Sequence, residues 1–265
     1  MKHRLFVAAT VVALAVALPR AAGKRFIAET DLFKFTWIAD PQISPDGSAV
    51  AFVRVSVNEK ENRYETSLYV VPSDGREAPR RLTSGIRDTS PRWAPDGKSI
   101  AFVRAAASQS SGGDKDGKAQ PAQLYLLSLD GGEARSLTDL EPGVQSPVWS
   151  PDGRTIAFSS PTGRLARRSA EREGGDGQNG KGAHTSDVTV VTRAVYRANG
   201  NPTYVDDDHH SHIFTVGVPS GASPASAGKT TPEQITDGDY DERDITWSRD
   251  GSTIYFTSTR VPEPY

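Results

Sequence analysis

Short runs of β-branched and aromatic residues recur along this chain, and each is broken by polar turn residues. The pattern is clearest in four related phrases: ISPDGSAVAF (43–52), WAPDGKSIAF (93–102), WSPDGRTIAF (149–158) and WSRDGSTIYF (247–256). Proline presets φ for the first corner of a tight turn, aspartate bonds the backbone just ahead of it, and glycine accepts the positive φ that closes it. Asp-Gly between strand-like flanks signals a hairpin. Each phrase is therefore predicted to be one β-hairpin, with Trp93, Trp149 and Trp247 on its first strand. A third and a fourth strand are predicted after the first three hairpins: Ser67–Pro72 with Pro79–Thr83, Gln123–Ser128 with Ala134–Thr138, and His212–Val216 with Glu233–Asp237. Each fourth strand carries a Leu-Thr or Ile-Thr pair.

Four antiparallel strands per repeat is the blade of a β-propeller. The turn aspartates Asp46, Asp96, Asp152 and Asp250 stand 50, 56 and 98 residues apart. The first two spacings are close to the ~40–50 residues of known propeller repeats. The third fits one blade with an insertion, because only one such strand end, Ile235-Thr236, lies in it. The predicted fold class is all-β: a β-propeller of four-stranded blades, about three and a half present, forming an incomplete ring. The blades are placed at approximately 38–83, 88–138, 145–236 with an inserted hairpin, and 244–265, the last cut short. The inserted hairpin is expected to start at Asp187-Val-Thr-Val-Val and to turn at Ala198-Asn-Gly-Asn201. Residues 105–122 and 161–187 are small, polar and glycine-rich, and are expected to be surface excursions. An unfinished ring leaves open faces and raw strand edges. The 265-residue chain is accordingly expected to be the front part of a longer protein.

Composition narrows the function. The formal charge is −2, with no basic cluster interleaved with exposed aromatics, which argues against nucleic acid. Residues 1–23 stand apart: Lys2, His3 and Arg4 precede an apolar-type run from Leu5 to Leu18, followed by Ala21-Ala22-Gly23. This pattern predicts a secretory signal cleaved after Gly23 and an exported protein, periplasmic or secreted from a bacterium. The run is short for a membrane anchor, which needs ~20 apolar residues. The chain has no cysteine, which removes thiol catalysis and thiolate zinc sites from consideration.

Candidate chemistry is sparse. A serine hydrolase needs its nucleophile on a sharp strand-to-helix turn, typically Gly-x-Ser-x-Gly. No such motif occurs, and Gly221-Ala-Ser-Pro-Ala, with Ser223, lacks the second glycine. No catalytic residue and no cofactor are therefore assigned to this chain. His210 and His212, within Asp206-Asp-Asp-His-His-Ser-His212, would share one face of a strand and are candidate metal ligands. A polar turn explains them better, so no metal site is assigned. The acidic stretch Asp237–Asp244 lacks EF-hand spacing and reads as an exposed turn between blades.

Several segments resemble the N-terminal propeller of the prolyl oligopeptidase family of serine peptidases, in its acylaminoacyl-peptidase and dipeptidyl-aminopeptidase branch. They are Thr30-Asp-Leu-Phe-Lys-Phe, Asp40-Pro-Gln-Ile-Ser-Pro-Asp-Gly47, Glu61-Asn-Arg-Tyr-Glu-Thr-Ser-Leu-Tyr-Val70, Val191-Thr-Arg-Ala-Val-Tyr-Arg-Ala-Asn-Gly200 and Tyr255-Phe-Thr-Ser-Thr-Arg-Val-Pro-Glu-Pro-Tyr265. The resemblance implies a propeller that gates access to a C-terminal α/β-hydrolase domain carrying a Ser-His-Asp triad. The implied partners are short peptide substrates and that hydrolase domain in cis. It makes Arg260, Glu263 and Tyr265 candidate substrate contacts. No adjacent Glu-Glu pair is present, so the amine recognition of dipeptidyl-peptidase-IV-like members is not expected. TolB-like periplasmic propellers share the turn phrase. They supply the alternative: a protein-binding propeller without catalysis.

Overall fold

In the computed structural model, residues 25–106, 121–163, 209–219, 230–258 and 260 are described. The predicted signal, the inserted hairpin, Ser223, Glu263 and Tyr265 lie outside them. Among the described residues, a 3₁₀ helix, Glu29–Lys34, leads into fourteen strands. β1 (Thr36–Ile43), β2 (Ala49–Asn58), β3 (Arg63–Pro72) and β4 (Arg80–Arg81) form the first sheet. β5 (Asp88–Trp93), β6 (Ser99–Arg104), β7 (Gln123–Ser128) and β8 (Arg135–Ser136) form the second. β9 (Gln145–Trp149), β10 (Thr155–Gly163), β11 (His209–Gly217) and β12 (Glu233–Gln234) form the third. β13 (Glu242–Trp247) and β14 (Ile254–Ser258) form a two-stranded fourth. Every pairing within a sheet is antiparallel and joins chain neighbours. The first strands β1, β5, β9 and β13 lie side by side, so the sheets fan outward from them. These are propeller blades, and among the described residues they do not close into a ring.

Each turn phrase forms the hairpin between a blade's first two strands. In the first, Gly47 N–H donates to Ser44 O (2.9 Å) and Ser44 N–H to Ala49 O (2.8 Å). Ser44 Oγ and Ser48 N–H both donate to Asp46 Oδ1, at 2.6 and 3.0 Å. The same bonds recur around Ser150/Asp152 and Ser248/Asp250. They hold the carboxyls of Asp46 and Asp250 down at about 2 and lower that of Asp152, the serine hydroxyl being the largest cause. Gly47, Gly97, Gly153 and Gly251 all sit near φ +70°, a conformation that costs other L-residues ~1 kcal/mol or more.

Three apolar clusters bind the blades. Ala51, Val53 and Leu68 of the first pack on Ile100, Phe102 and Leu127 of the second. Ala101, Val103 and Leu124 of the second pack on Ile156, Phe158, Phe214 and Val216 of the third. Ala157 and Ile213 of the third meet Ile245 of the fourth. Two further devices repeat at each seam. A tryptophan Nε1–H donates to a backbone carbonyl of the preceding first strand: Trp93 to Gln42 (2.9 Å), Trp149 to Arg92 (3.0 Å) and Trp247 to Val148 (3.3 Å). The prolines of successive turns also face the next turn's glycine: Pro45 toward Gly97, Pro95 toward Gly153 and Pro151 toward Gly251.

Two expectations about strand extents change. The fourth strands are only two residues long, not five. Just beyond them, the threonine of the Leu-Thr or Ile-Thr pair takes over a third-strand amide. Thr83 Oγ1 accepts from Leu68 N–H (3.2 Å), Thr138 Oγ1 from Leu124 N–H (3.0 Å) and Thr236 Oγ1 from Ile213 N–H (2.9 Å). A side-chain acceptor thus replaces the ladder and ends it. β10 also runs on through Gly163, past the point where an excursion was expected, because it pairs with β11 along its whole length.

Candidate functional site

The acidic stretch expected to be an exposed turn is exposed only in part. Asp237, Gly238, Asp239 and Tyr240 face solvent, but Glu242 opens β13 and is fully buried. Its Oε2 lies 2.8 Å from His212 Nδ1 and accepts from Thr236 Oγ1 at 3.1 Å. Its Oε1 accepts from Arg260 Nη2 at 3.3 Å. A carboxylate taken out of water requires such partners. Here they come from blade three (His212 and Thr236) and from the residues after β14 (Arg260).

His212 has equivalents in the other blades. The residue just before the buried Leu68, Leu124 or Ile213 is Ser67, Gln123 or His212. Ser67 Oγ donates to Gly85 O at 2.7 Å. Gln123 Nε2 donates to Leu140 O at 2.7 Å, and its Oε1 accepts from Leu140 N–H at 2.9 Å. In each case this side chain clasps the connection to the next blade. At 3 % exposure, His212 is sealed from any substrate. His210 and His212 do lie on one face of β11, with ring centroids 6.5 Å apart. His210 faces Asp241 at 3.8 Å. Among the described residues, no group of three histidines or carboxylates is arranged to hold a metal ion.

Arg260 sits at the same end of the blade. Its guanidinium lies 5.8 Å over the Tyr240 ring, its Nε is 3.4 Å from Ser258 Oγ, and its side chain is 56 % exposed. Glu242, Tyr240 and Ser258 anchor it, and more than half of the side chain remains open to solvent. A planar fork held this way can donate to a carbonyl or carboxylate brought to it.

The first strands carry a further feature. Asp40, Ser90, Ser146 and Asp244 have φ of 46°, 53°, 50° and 53°. The pairing of each first strand with the second slips there, as a β-bulge. Bulges re-aim side chains. At the first, Asp40 Oδ1 accepts from Gln42 and Oδ2 pairs with Arg92 of the next blade at 2.7 Å. The sequence marks three of these four positions with Asp-Pro or Ser-Pro, at 40–41, 90–91 and 146–147.

Among the described residues, no helix is long and apolar enough to cross a membrane. Comparison with known protein families agrees with the architecture. The TolB beta propeller domain family matches residues 28–179. The uncharacterized peptidase YuxL of Bacillus subtilis (strain 168) is 28 % identical over 237 residues, which cover 89 % of this chain and 31 % of that protein. The chain thus spans about a third of the length of this curated relative. A putative TolB from Agrobacterium tumefaciens aligns with a TM-score of 0.49 at 23 % identity, covering 83 % of this chain and 53 % of that one. Pyrococcus horikoshii acylaminoacyl peptidase aligns with a TM-score of 0.47 at 17 % identity, covering 72 % of this chain and 24 % of that one. With its repeated blades and a family match over more than half its length, the chain belongs to the TolB beta propeller domain family.

Proposed function

We propose that this chain is the propeller part of an exported serine peptidase acting on short peptides. In this reading the propeller gates access to an α/β-hydrolase domain that follows it. The observation that carries the reading is the similarity to a peptidase over 89 % of this chain and only 31 % of the relative. Serine peptide hydrolysis needs a nucleophile, a histidine base and an oxyanion pocket. The chain has no nucleophile-elbow motif, so in this reading the hydrolase domain supplies all three. The propeller limits entry to short peptides, and Arg260, with Glu263 and Tyr265 beyond it, contributes substrate contacts at the rim. The pattern of residues 1–23 supports export, and mature protein beginning at Lys24 would be its signature.

The family match itself favours a second reading, a TolB-like propeller that binds a partner protein and catalyses nothing. Sequencing the reading frame beyond Tyr265 separates the two. The peptidase reading expects further blades and then Gly-x-Ser-x-Gly, with the whole product hydrolysing aminoacyl or dipeptidyl substrates and losing that activity to a serine-directed inhibitor. A frame with no hydrolase domain removes it. The 265-residue chain alone is expected to hydrolyse nothing.

A further inference from the structure

A buried acid opens the first strand of two blades, and the arginine bound to it is placed differently in each. Asp88 opens β5 and Glu242 opens β13, and both are fully buried. Each stands two residues before a positive-φ bulge, at Ser90 and at Asp244. The strand register sets Asp88 opposite Arg104, and in blade four Ser258 stands at the place of Arg104. Arg104 Nε and Nη2 both donate to the Asp88 carboxylate, at 2.6 and 2.9 Å. Its guanidinium lies 5.1 Å from the Phe102 ring centre and 5.0 Å from that of Tyr125, and its side chain is 23 % exposed. That pair is closed on itself. Arg260 instead reaches Glu242 from two residues beyond Ser258, through Nη2 at 3.3 Å, and its side chain is 56 % exposed.

Glu242 fixes which part of Arg260 is free. Nε lies 3.4 Å from Ser258 Oγ, Nη2 donates to Glu242, and Tyr240 lies against the guanidinium at 5.8 Å. Among the described residues, Nη1 has no partner. The Glu242 carboxylate is itself held, because its other oxygen lies against His212 and accepts from Thr236. Charge adds a second constraint. Residues 237–244 hold five acids and one arginine, Arg243. Arg243 pairs with Asp241 at 3.3 Å, and His210 faces the same carboxylate at 3.8 Å. With Arg260 included, two guanidinium groups stand among five carboxylates. Glu242 balances Arg260 from inside the protein, where salt screens little. A neutral carbonyl oxygen can still accept from Nη1. An arriving carboxylate meets a guanidinium already neutralised and an excess of acid around it.

We infer that Glu242 is a positioning and specificity-determining residue. It holds Arg260 for a neutral carbonyl of a bound peptide and makes this rim disfavour peptides that bring a carboxylate to it. The inference rests on the peptidase reading and on Arg260 as a substrate contact, and it adds the selection by charge.

The test uses the product of the whole reading frame and matched chromogenic peptide anilides. Each pair carries glutamine or glutamate at one residue before the cleaved bond. At the position that reaches Arg260, the parent should show a KM about tenfold higher for the glutamate peptide, with the difference in KM rather than kcat. Glu242→Gln keeps the shape and removes the charge. It should raise KM for the glutamine peptide and lower it for the glutamate peptide, a crossed change that general loosening of the fold does not produce. No preference in the parent, or a shift of both KM values in one direction, overturns the inference. Arg260→Gln, a half-exposed change, covers the case in which Glu242→Gln does not fold. It leaves the acid unbalanced, so KM should rise for both peptides and the preference for glutamine should widen. An unchanged preference overturns the role of Glu242 and leaves the Arg260 contact standing. An unchanged KM for the glutamine peptide in Arg260→Gln removes that contact, and no hydrolysis of any peptide by the parent removes the peptidase reading; either result overturns the inference as well.

Discussion

Trp149 of blade three donates its indole N–H to the backbone carbonyl of Arg92 in blade two, at 3.0 Å. The two residues are far apart in sequence, and the bond ties consecutive blades at their inner strands. Trp93 and Trp247 make the equivalent bond, so the tryptophan before each later turn is a seam residue as well as core. Trp149→Phe keeps most of the apolar contact and removes the donor, leaving a carbonyl unpaired. It should cost about 1 kcal/mol. Trp149→Ala should cost roughly 3 kcal/mol or more. Urea unfolding measures both losses, and a Trp149→Phe variant as stable as the parent would show that the hydrogen bond contributes nothing.

His212 separates a structural role from a chemical one. Gln123 fills its place in blade two and clasps the connecting segment with the same geometry of purpose. His212→Gln should therefore be tolerated at less than about 1 kcal/mol. His212→Ala strips one partner from buried Glu242 and should cost about 2 kcal/mol. Denaturant melts read this directly. A glutamine variant as damaged as the alanine one would mean that the imidazole has a task no amide can perform.

The pair of Asp88 and Arg104 offers the sharpest stability test. Asp88 is fully buried and Arg104 holds it by two hydrogen bonds. This carboxylate raises the Arg104 pKa above its usual value. Arg104→Met leaves the carboxylate buried without its cation and should cost about 3–5 kcal/mol. The double change Arg104→Met with Asp88→Leu should recover much of that loss. Chemical denaturation of the single and double variants decides whether the pair or its packing dominates.

Acid should loosen the turns in a defined window. The folded carboxyls of Asp46 and Asp250 stand at about 2, below the ~3.9 of an unfolded aspartate. A depressed pKa adds stability above the unfolded value, and that contribution fades as the pH falls through the folded one. The loss should therefore fall between about pH 4 and pH 2. Asp46→Asn and Asp250→Asn together should flatten this part of the melting-temperature profile. An unchanged profile would assign acid sensitivity to other groups.

Much of the blade was legible because its determinants are local. Pro-Asp-Gly turns, alternating strands and the repeat of Leu-Thr or Ile-Thr are relations among residues a few positions apart. They led to the hairpins, the blade count and the propeller class. The site was far less legible. Arg260 was singled out only by resemblance, and Glu242 was passed over as one acid in an exposed acidic turn. Its burial depends on where His212 and Thr236 of the preceding blade arrive. The first-strand bulges were missed because a positive φ at Asp40 or Ser90 leaves little mark on a two-residue alternation.

The amino-acid order by itself determined which segments become strands, where they turn and that the unit repeats, since each depends on torsional preference and neighbouring side chains. Only the tertiary structure decided which carbonyl each tryptophan reaches, that Arg104 pairs with Asp88, and that His212 closes over Glu242. Those pairings depend on how one twisted sheet stacks on the next and join residues many positions apart along the chain. No local rule of torsion or turn chemistry carries that information.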